Sequence, residues 1–295
     1  MNYLDHYTDF LIKHLHIEVP IKAVFDCSNG TAGMVLEKII SKTSGLDAHL
    51  INETPDGTFP AHNPSPMAKG SLDDLMEETA KTVADVGAIF DPDVDRVFFV
   101  DEKGERVDPM EILVLIAPHF NPPYIVNVAL GEVPLSWIAS DMDITETRTG
   151  HYFIKKAMRE KDIELGVEHS GHYYFKDFFF ADSGMLAALV ALNAVSKLKI
   201  KGTTFSEWRK TIPVIYREGE LNFSVKDRDI ALRKVKNHFQ RKADIKEIDG
   251  VTVISENAWA NVRASNTEPL LRVNLAAKSE GALNNIKEEL LPLLQ

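Results

Sequence analysis

From Ile21 to Leu198, short apolar runs alternate with segments whose apolar residues recur at helical spacing, and that alternation leaves few folds open. Residues 21–26 read as a strand, Asn29-Gly30-Thr31-Ala32-Gly33 as a turn and residues 34–40 as a helix, the opening of a βα unit. A first helix over 3–16 precedes it. The same reading predicts strands at 48–51, 86–90, 97–100, 124–128, 144–147 and 163–167, and helices at 72–83, 110–116, 134–139, 151–160 and 181–198. A proline-rich loop, Pro55 to Pro66, breaks the first half. Alternation over roughly 200 residues implies α/β units with largely buried sheets. After Arg217-Glu218-Gly219 the pattern changes to a strand at 221–225, a helix at 228–241, strands at 251–254, 258–263 and 270–276, and a closing helix at 282–294. That is a small α+β domain of about 75–80 residues, enough to fold as a unit. The expected organisation is therefore two α/β domains, 1–105 and 106–216, followed by an α+β domain at 217–295.

Charge and composition narrow the function. Lys and Arg total 33 against 44 Asp and Glu, a net charge of −11, and an acidic surface repels phosphate backbones, so no nucleic acid partner is expected. Hydrophobic residues at 44% and charged residues at 26% are the balance of a globular protein. The one cysteine, Cys27, excludes an internal disulfide framework and a cysteine zinc site. The N-terminal text carries acids and histidines where a signal peptide needs a basic start and an apolar run, and no stretch approaches the ~18 apolar residues of a membrane span. The expectation is a soluble, cytoplasmic protein with no membrane partner.

Three polar loops stand where ordinary turns would serve. Asp91-Pro92-Asp93-Val94-Asp95-Arg96 lies between two strongly apolar strands. Carboxylates at i, i+2 and i+4 repel one another unless a cation sits among them, and a turning backbone can aim them at one point. The result is an oxygen-rich site for a hard divalent ion such as Mg2+. Arg96 sets a guanidinium fork beside it, suited to a phosphate bridging to the metal. A solvated acidic turn is the competing reading; an EF-hand is rejected because Arg96 stands where that loop needs glycine.

In Gly166-Val167-Glu168-His169-Ser170-Gly171-His172, Glu168 and Ser170 lie two apart and project to one side of an extended segment, an arrangement that suits vicinal sugar hydroxyls. A capped connection with incidental histidines is the alternative, and for His169 and His172 as metal ligands no third ligand is evident. In the third loop, Arg263 and Arg272 bracket Ser265, Asn266 and Thr267, which together form an anion nest fit for a phosphate dianion, against the alternative of a surface turn. The glycine loop Cys27 to Gly33 lacks the dinucleotide fingerprint, so helix–strand packing is its expected role. His151, opening a helix, is a candidate proton carrier or a plain first-turn histidine.

In order and spacing, the three loops resemble the α-D-phosphohexomutase superfamily, on its phosphomannomutase/phosphoglucomutase branch. Asp91 to Arg96 is similar to that family's Asp-Gly-Asp-x-Asp-Arg metal loop, with Pro92 where glycine is commoner. Glu168-His169-Ser170-Gly171-His172 is similar to its sugar loop and Arg263 to Pro269 to its phosphate loop. Thr149-Gly150-His151 and the stretch from Tyr173 through Gly184 also resemble it, so the likeness runs along the whole chain. The resemblance implies mutase-type domains and Mg2+ held by Asp91, Asp93 and Asp95. It implies a transferring phosphoryl group steadied by Arg96, and sugar hydroxyls gripped by Glu168 and Ser170. Arg263, Ser265, Asn266, Thr267 and Arg272 would hold the other phosphate, and His151 and His172 would be general acid/base or polar-contact residues. The implied substrates are mannose or glucose 1- and 6-phosphates.

In that family a phosphoserine in a Thr-Ala-Ser-His-Asn-Pro type motif relays the phosphoryl group. Here the one His-Asn-Pro, His62-Asn63-Pro64, follows Ala61, and the phosphoserine domain is expected to be absent from this chain. Two functional expectations follow. One is a mutase component interconverting hexose 1- and 6-phosphates when a separate phosphoserine-bearing domain or chain acts in trans. The other is a non-catalytic sugar-phosphate binding protein derived from the mutases.

Overall fold

The computed structural model describes residues 2–265 and 268–294. It opens with α1 (Tyr3–Ile12), β1 (Ile21–Asp26), α2 (Ala32–Lys42), β2 (Leu46–Ile51) and α3 (Asp73–Thr82). Next come β3 (Val86–Phe90), β4 (Val97–Asp101), β5 (Arg106–Val107), α4 (Pro109–Ile116), β6 (Tyr124–Asn127), α5 (Glu132–Ile138), β7 (Ile144–Thr147) and α6 (His151–Lys161). Then follow β8 (Leu165–Val167), β9 (Tyr173–Phe175), β10 (Ala181–Asp182), α7 (Gly184–Ile200) and α8 (Phe205–Arg209). The remainder is β11 (Tyr216–Phe223), α9 (Arg228–Phe239), β12 (Asp244–Lys246), β13 (Val251–Ile254), β14 (Ala258–Ala264), β15 (Leu271–Ala277) and α10 (Glu280–Leu290). These elements group into two units. The first runs up to Asn121 and includes Asp162–Thr211; the second joins Pro122–Lys161 to the chain from Ile212 on.

The first unit is built on a sheet of order β2-β1-β3-β4-β5, with β2, β1 and β3 parallel and β4 and β5 antiparallel. β3 and β4 are buried at every position because α3 and α7 both pack on them. Val24, Leu75, Ile89, Phe98 and Val100 meet in the core beneath α3. α7 is apolar all round and buried from Gly184 to Ser196, as a core helix must be. Its two buried polar members are put to use. Asn193 accepts from His16 N and donates to His14 O, both at 2.7 Å, and Ser196 Oγ accepts from Glu18 N at 3.0 Å. β8, β9 and β10 form an antiparallel ladder, Leu165 opposite Phe175 and Asp182 opposite Tyr174. The sequence reading starts the long helix at Ala181. The structure starts it at Gly184, because Ser183 Oγ accepts from Leu186 N at 3.1 Å as an N-cap and the two preceding residues pair in β10.

In the second unit, β6 and β7 pair in parallel and a five-stranded antiparallel sheet runs β11-β15-β14-β13-β12. Val235, Phe239, Val253, Leu271, Leu275 and Ile286 close its core against α9 and α10. β11 shifts register between Glu218 and Leu221, a bulge that sets Glu220 outside the regular ladder.

The proline-rich stretch of the first unit is pinned. Asp26, wholly buried at the end of β1, accepts from Ser28 N at 2.9 Å, Asn52 Nδ2 at 3.0 Å and His62 Nε2 at 3.0 Å. The other ring nitrogen of His62 faces Asn63 O at 2.9 Å. Two acceptors satisfy both nitrogens only when each carries a proton, so the geometry favours imidazolium. The hydrogen bond to Asp26 accordingly pushes the His62 pKa up to about 8, against the pull of burial. A folded-state value above the unfolded one stabilises fully below pH ~6.5 and is lost as the pH rises through about 8. Urea unfolding between pH 6.5 and 9 should therefore show wild type losing about 2 kcal/mol that His62→Gln does not lose.

Candidate functional site

The acidic loop joins β3 to β4 in the first unit, and the backbone around it decides where its carboxylates go. Val94 sits at φ 65°, a left-handed turn that lets Val94 N reach Asp91 O at 3.1 Å and folds the loop on itself. Gly184 N donates to Val94 O at 2.9 Å, and Thr31 N donates to Pro92 O at 3.0 Å. The glycine loop thus serves as a close backbone approach: a Cβ on Gly30 would lie 2.5 Å from Pro92 Cα. Held this way, Asp91, Asp93 and Asp95 each bring a carboxylate oxygen within 4.8 Å of the others.

Arg96 clamps the buried end. Its Nε lies 2.6 Å from Asp91 Oδ2, its backbone N donates to Asp91 Oδ1 at 3.1 Å, and Asp95 Oδ1 is 3.7 Å away. Burial and the neighbouring Asp95 push the Asp91 carboxyl up to about 7, against the pull of Arg96. Burial also opposes charge on Asp95, but hydrogen bonds from His172 and Asp91 outweigh it and hold that carboxyl well below the usual range. Asp95 Oδ1 is buried and makes no hydrogen bond among the described residues, so the donor set fits a hard divalent cation.

The loop of residues 166–172 lies beside it in the same unit. Arg96 and His172 form a β-bridge, and Val97 N donates to Gly171 O at 3.0 Å. His172 spans the two loops. Nε2 faces Asp95 Oδ2 at 3.4 Å, while Nδ1 contacts Ser170 Oγ at 2.8 Å and Glu168 Oε2 at 3.5 Å. Tyr174 OH donates to Glu168 Oε2 at 2.7 Å and fixes that carboxylate from below. The structure thus brings Asp91, Asp93, Asp95, Arg96, Glu168, Ser170 and His172 together.

The second unit holds the other candidates. Arg263 and Arg272 are register partners on β14 and β15, and one carboxylate bridges them. Glu220 Oε2 meets Arg263 Nη2 at 3.0 Å and its Oε1 meets Arg272 Nη1 at 3.0 Å. Arg272 Nη2 also reaches Glu268 at 3.1 Å, and Glu268 N donates to Ser265 Oγ at 3.3 Å. The Nε atoms of both arginines are buried with no hydrogen-bond partner among the described residues. Asn266 and Thr267 lie outside the described residues. His151 opens α6, whose approach is anchored where Thr149 N donates to Asp249 Oδ2 at 3.1 Å.

Residues 2–104, 131–215 and 220–293 match the phosphoglucomutase/phosphomannomutase alpha/beta/alpha domain II, alpha/beta/alpha domain III and C-terminal domain, respectively. The chain belongs to the phosphoglucomutase/phosphomannomutase family. It is 34% identical over 300 residues to a phosphomannomutase of Methanocaldococcus jannaschii, across 100% of this chain and 66% of that protein. With a phosphomannomutase of Escherichia coli K12 it shares 32% over 294 residues, 95% of this chain and 64% of the relative. The chain therefore spans just under two thirds of these relatives. In fold it is similar to a phosphoglucomutase/phosphomannomutase family protein of Burkholderia thailandensis (TM-score 0.84, 24% identity), across 99% of this chain and 64% of that one. A phosphomannomutase-type structure from Thermus thermophilus gives a TM-score of 0.76 at 20% identity, across 98% and 65%. As the family implies, the fold class is two mixed-sheet α/β domains followed by a small α+β domain.

Three residues escape the loop-by-loop reading of this family member. Tyr174 and Asp182 sit in a stretch noted for its resemblance but given no role there, and Glu220 lies 43 residues from the arginine it neutralises. Arg263 is 4% exposed and Glu220 14%, so truncating the acid strands a buried charge. Glu220→Ala should destabilise the protein by about 3 kcal/mol, read as a lower urea midpoint, because breaking one side of a buried pair leaves the other uncompensated.

Proposed function

We propose that this chain binds hexose 1- and 6-phosphates with Mg2+ and takes part in their interconversion, with a phosphoserine-bearing domain supplying the phosphoryl relay. The observation that carries the reading is the join in the first unit. A triaspartate loop with its own arginine clamp is linked through His172 to a carboxylate–hydroxyl pair, Glu168 and Ser170. Asp91, Asp93 and Asp95 would hold the ion, which supplies charge neutralisation at the transferring phosphoryl group. Arg96, fixed by Asp91, presents the rest of its guanidinium to that phosphoryl group. Glu168 accepts from sugar hydroxyls with its orientation set by Tyr174, and Ser170 adds a hydroxyl. His172 and His151 are the proton-carrying or polar-contact candidates. Arg263, Ser265, Asn266, Thr267 and Arg272 would hold the non-transferring phosphate. The three-domain division at 105/106 and 216/217, a role in carbohydrate metabolism as an isomerase, and a cytoplasmic setting belong to the same reading. It is supported by relatives named phosphomannomutase and by the lack, among the described residues, of any helix long and apolar enough to cross a membrane.

The alternative, a sugar-phosphate binding protein without turnover, uses the same pocket chemistry and differs in one outcome. Phosphorus NMR of mannose or glucose 1-phosphate, with the chain, Mg2+ and a separately expressed phosphoserine domain, should show the 6-phosphate accumulating. Binding without conversion would favour the alternative, and no binding would remove both. Arg272 is the better probe of the phosphate loop, because its side chain is 28% exposed whereas Arg263 is locked in the sheet. By calorimetry, Arg272→Ala should weaken hexose phosphate binding about tenfold, or ~1.4 kcal/mol, with the unfolding midpoint little changed.

A further inference from the structure

The geometry points to a second divalent-cation site in the first unit, formed by Asp95, His172 and Asp182 and suited to a transition ion such as Zn2+. Each of the three brings a ligand atom within 4.8 Å of the others. His172 carries the arrangement that metal-bound imidazoles adopt. Its Nδ1 faces Ser170 Oγ at 2.8 Å with the Glu168 carboxylate behind at 3.5 Å, so a proton on Nδ1 leaves the Nε2 lone pair pointing at Asp95. Glu168 is itself fixed by Tyr174 OH at 2.7 Å, the kind of outer hydrogen bond that locks ring and tautomer.

The His172–Asp95 contact is a long one: a charge-assisted N–H···O bond closes to about 2.7–2.9 Å, but Nε2 stands 3.4 Å from Asp95 Oδ2, room for an ion to take the place of the proton between them. Ligands about 2.0–2.1 Å from a tetrahedral ion are about 3.3 Å apart along an edge, which is the separation seen. Donor chemistry separates this site from the triaspartate one. Three carboxylates favour hard Mg2+, whereas an imidazole between two carboxylates favours Zn2+ or Co2+. Asp95 belongs to both sets, so it can bridge two ions or be drawn from one site to the other. The ligand that the sequence lacked for His172 is Asp182. It lies two residues before α7 and pairs in register with Tyr174, which brings it to the rim of the same loop.

The site stands on its own residues and does not require the phosphotransfer reading. Equilibrium dialysis of the full chain against Zn2+ and, separately, Mg2+ tests it. Wild type should bind both. Asp182→Asn should weaken Zn2+ at least tenfold and leave Mg2+ within twofold, and Asp93→Asn should do the reverse. Co2+ bound to wild type should show a visible d–d band that Asp182→Asn and His172→Gln both lose. Should a variant fold poorly, a Zn2+ titration of wild type followed by the nitrogen shifts of its imidazoles reports Nε2 coordination without any substitution. Unchanged Zn2+ affinity in folded Asp182→Asn, or equal loss of Zn2+ and Mg2+, would overturn the assignment. So would imidazole shifts that do not move with Zn2+.

Discussion

The acidic loop can gather three carboxylates only because backbone crowds it into place from several directions. A Cβ on Gly184 would lie 2.6 Å from Arg96 O and 3.0 Å from Val94 O, and one on Gly171 would lie 2.5 Å from the Phe98 ring. With Gly30 against Pro92, these positions let the start of α7, the turn after β1 and the loop after β8 all reach residues 91–96. Like charges at this spacing repel, so packing must hold them where electrostatics alone would not. Arg96 offsets part of that repulsion by taking both oxygens of Asp91.

The second unit solves a similar problem with signs reversed. Two arginines on neighbouring strands would repel, and Arg263 is nearly buried. Glu220, set out of register by the bulge in β11, gives one oxygen to each guanidinium. Half of the pair's charge is therefore offset from beneath, while the buried Nε atoms keep unspent donor capacity. A phosphate arriving at this loop would displace from Arg272 the exposed Glu268, the weaker of its two carboxylate partners because solvent screens it.

Much of this was legible along the chain, and the remainder was hidden for identifiable reasons. Residues 21–26, 86–90 and 144–147 fall where alternation placed them, and in the first two a strand buried on both faces leaves a near-continuous apolar run. β5 and β10 span two residues each and α8 little more than one helical turn, too short for any period to register. The long helix was started three residues early because Ala181 continues its apolar text, while the capping hydroxyl of Ser183 sets the true start. The acidic loop showed itself because all its chemistry is local. Glu220, Tyr174 and Asp182 did not, since each acts through a partner brought near by strand pairing, which no window along the sequence contains.

The same distinction explains why His172 matters more than its motif suggests. Read alone, Glu168-His169-Ser170-Gly171-His172 is a sugar-type loop with spare imidazoles. In the fold, the bridge between Arg96 and His172 stitches that loop to β4, so the ring lies between Asp95 on one side and Glu168 with Ser170 on the other. Any change of charge at Asp95 is then felt at Nε2, and any change at Glu168 or Ser170 is felt at Nδ1. An imidazole conducts such changes because protonating or coordinating one nitrogen alters the acidity of the other. On the proposed function, cation binding on one side and hydroxyl binding on the other would be coupled through a single ring whose position is set by backbone pairing.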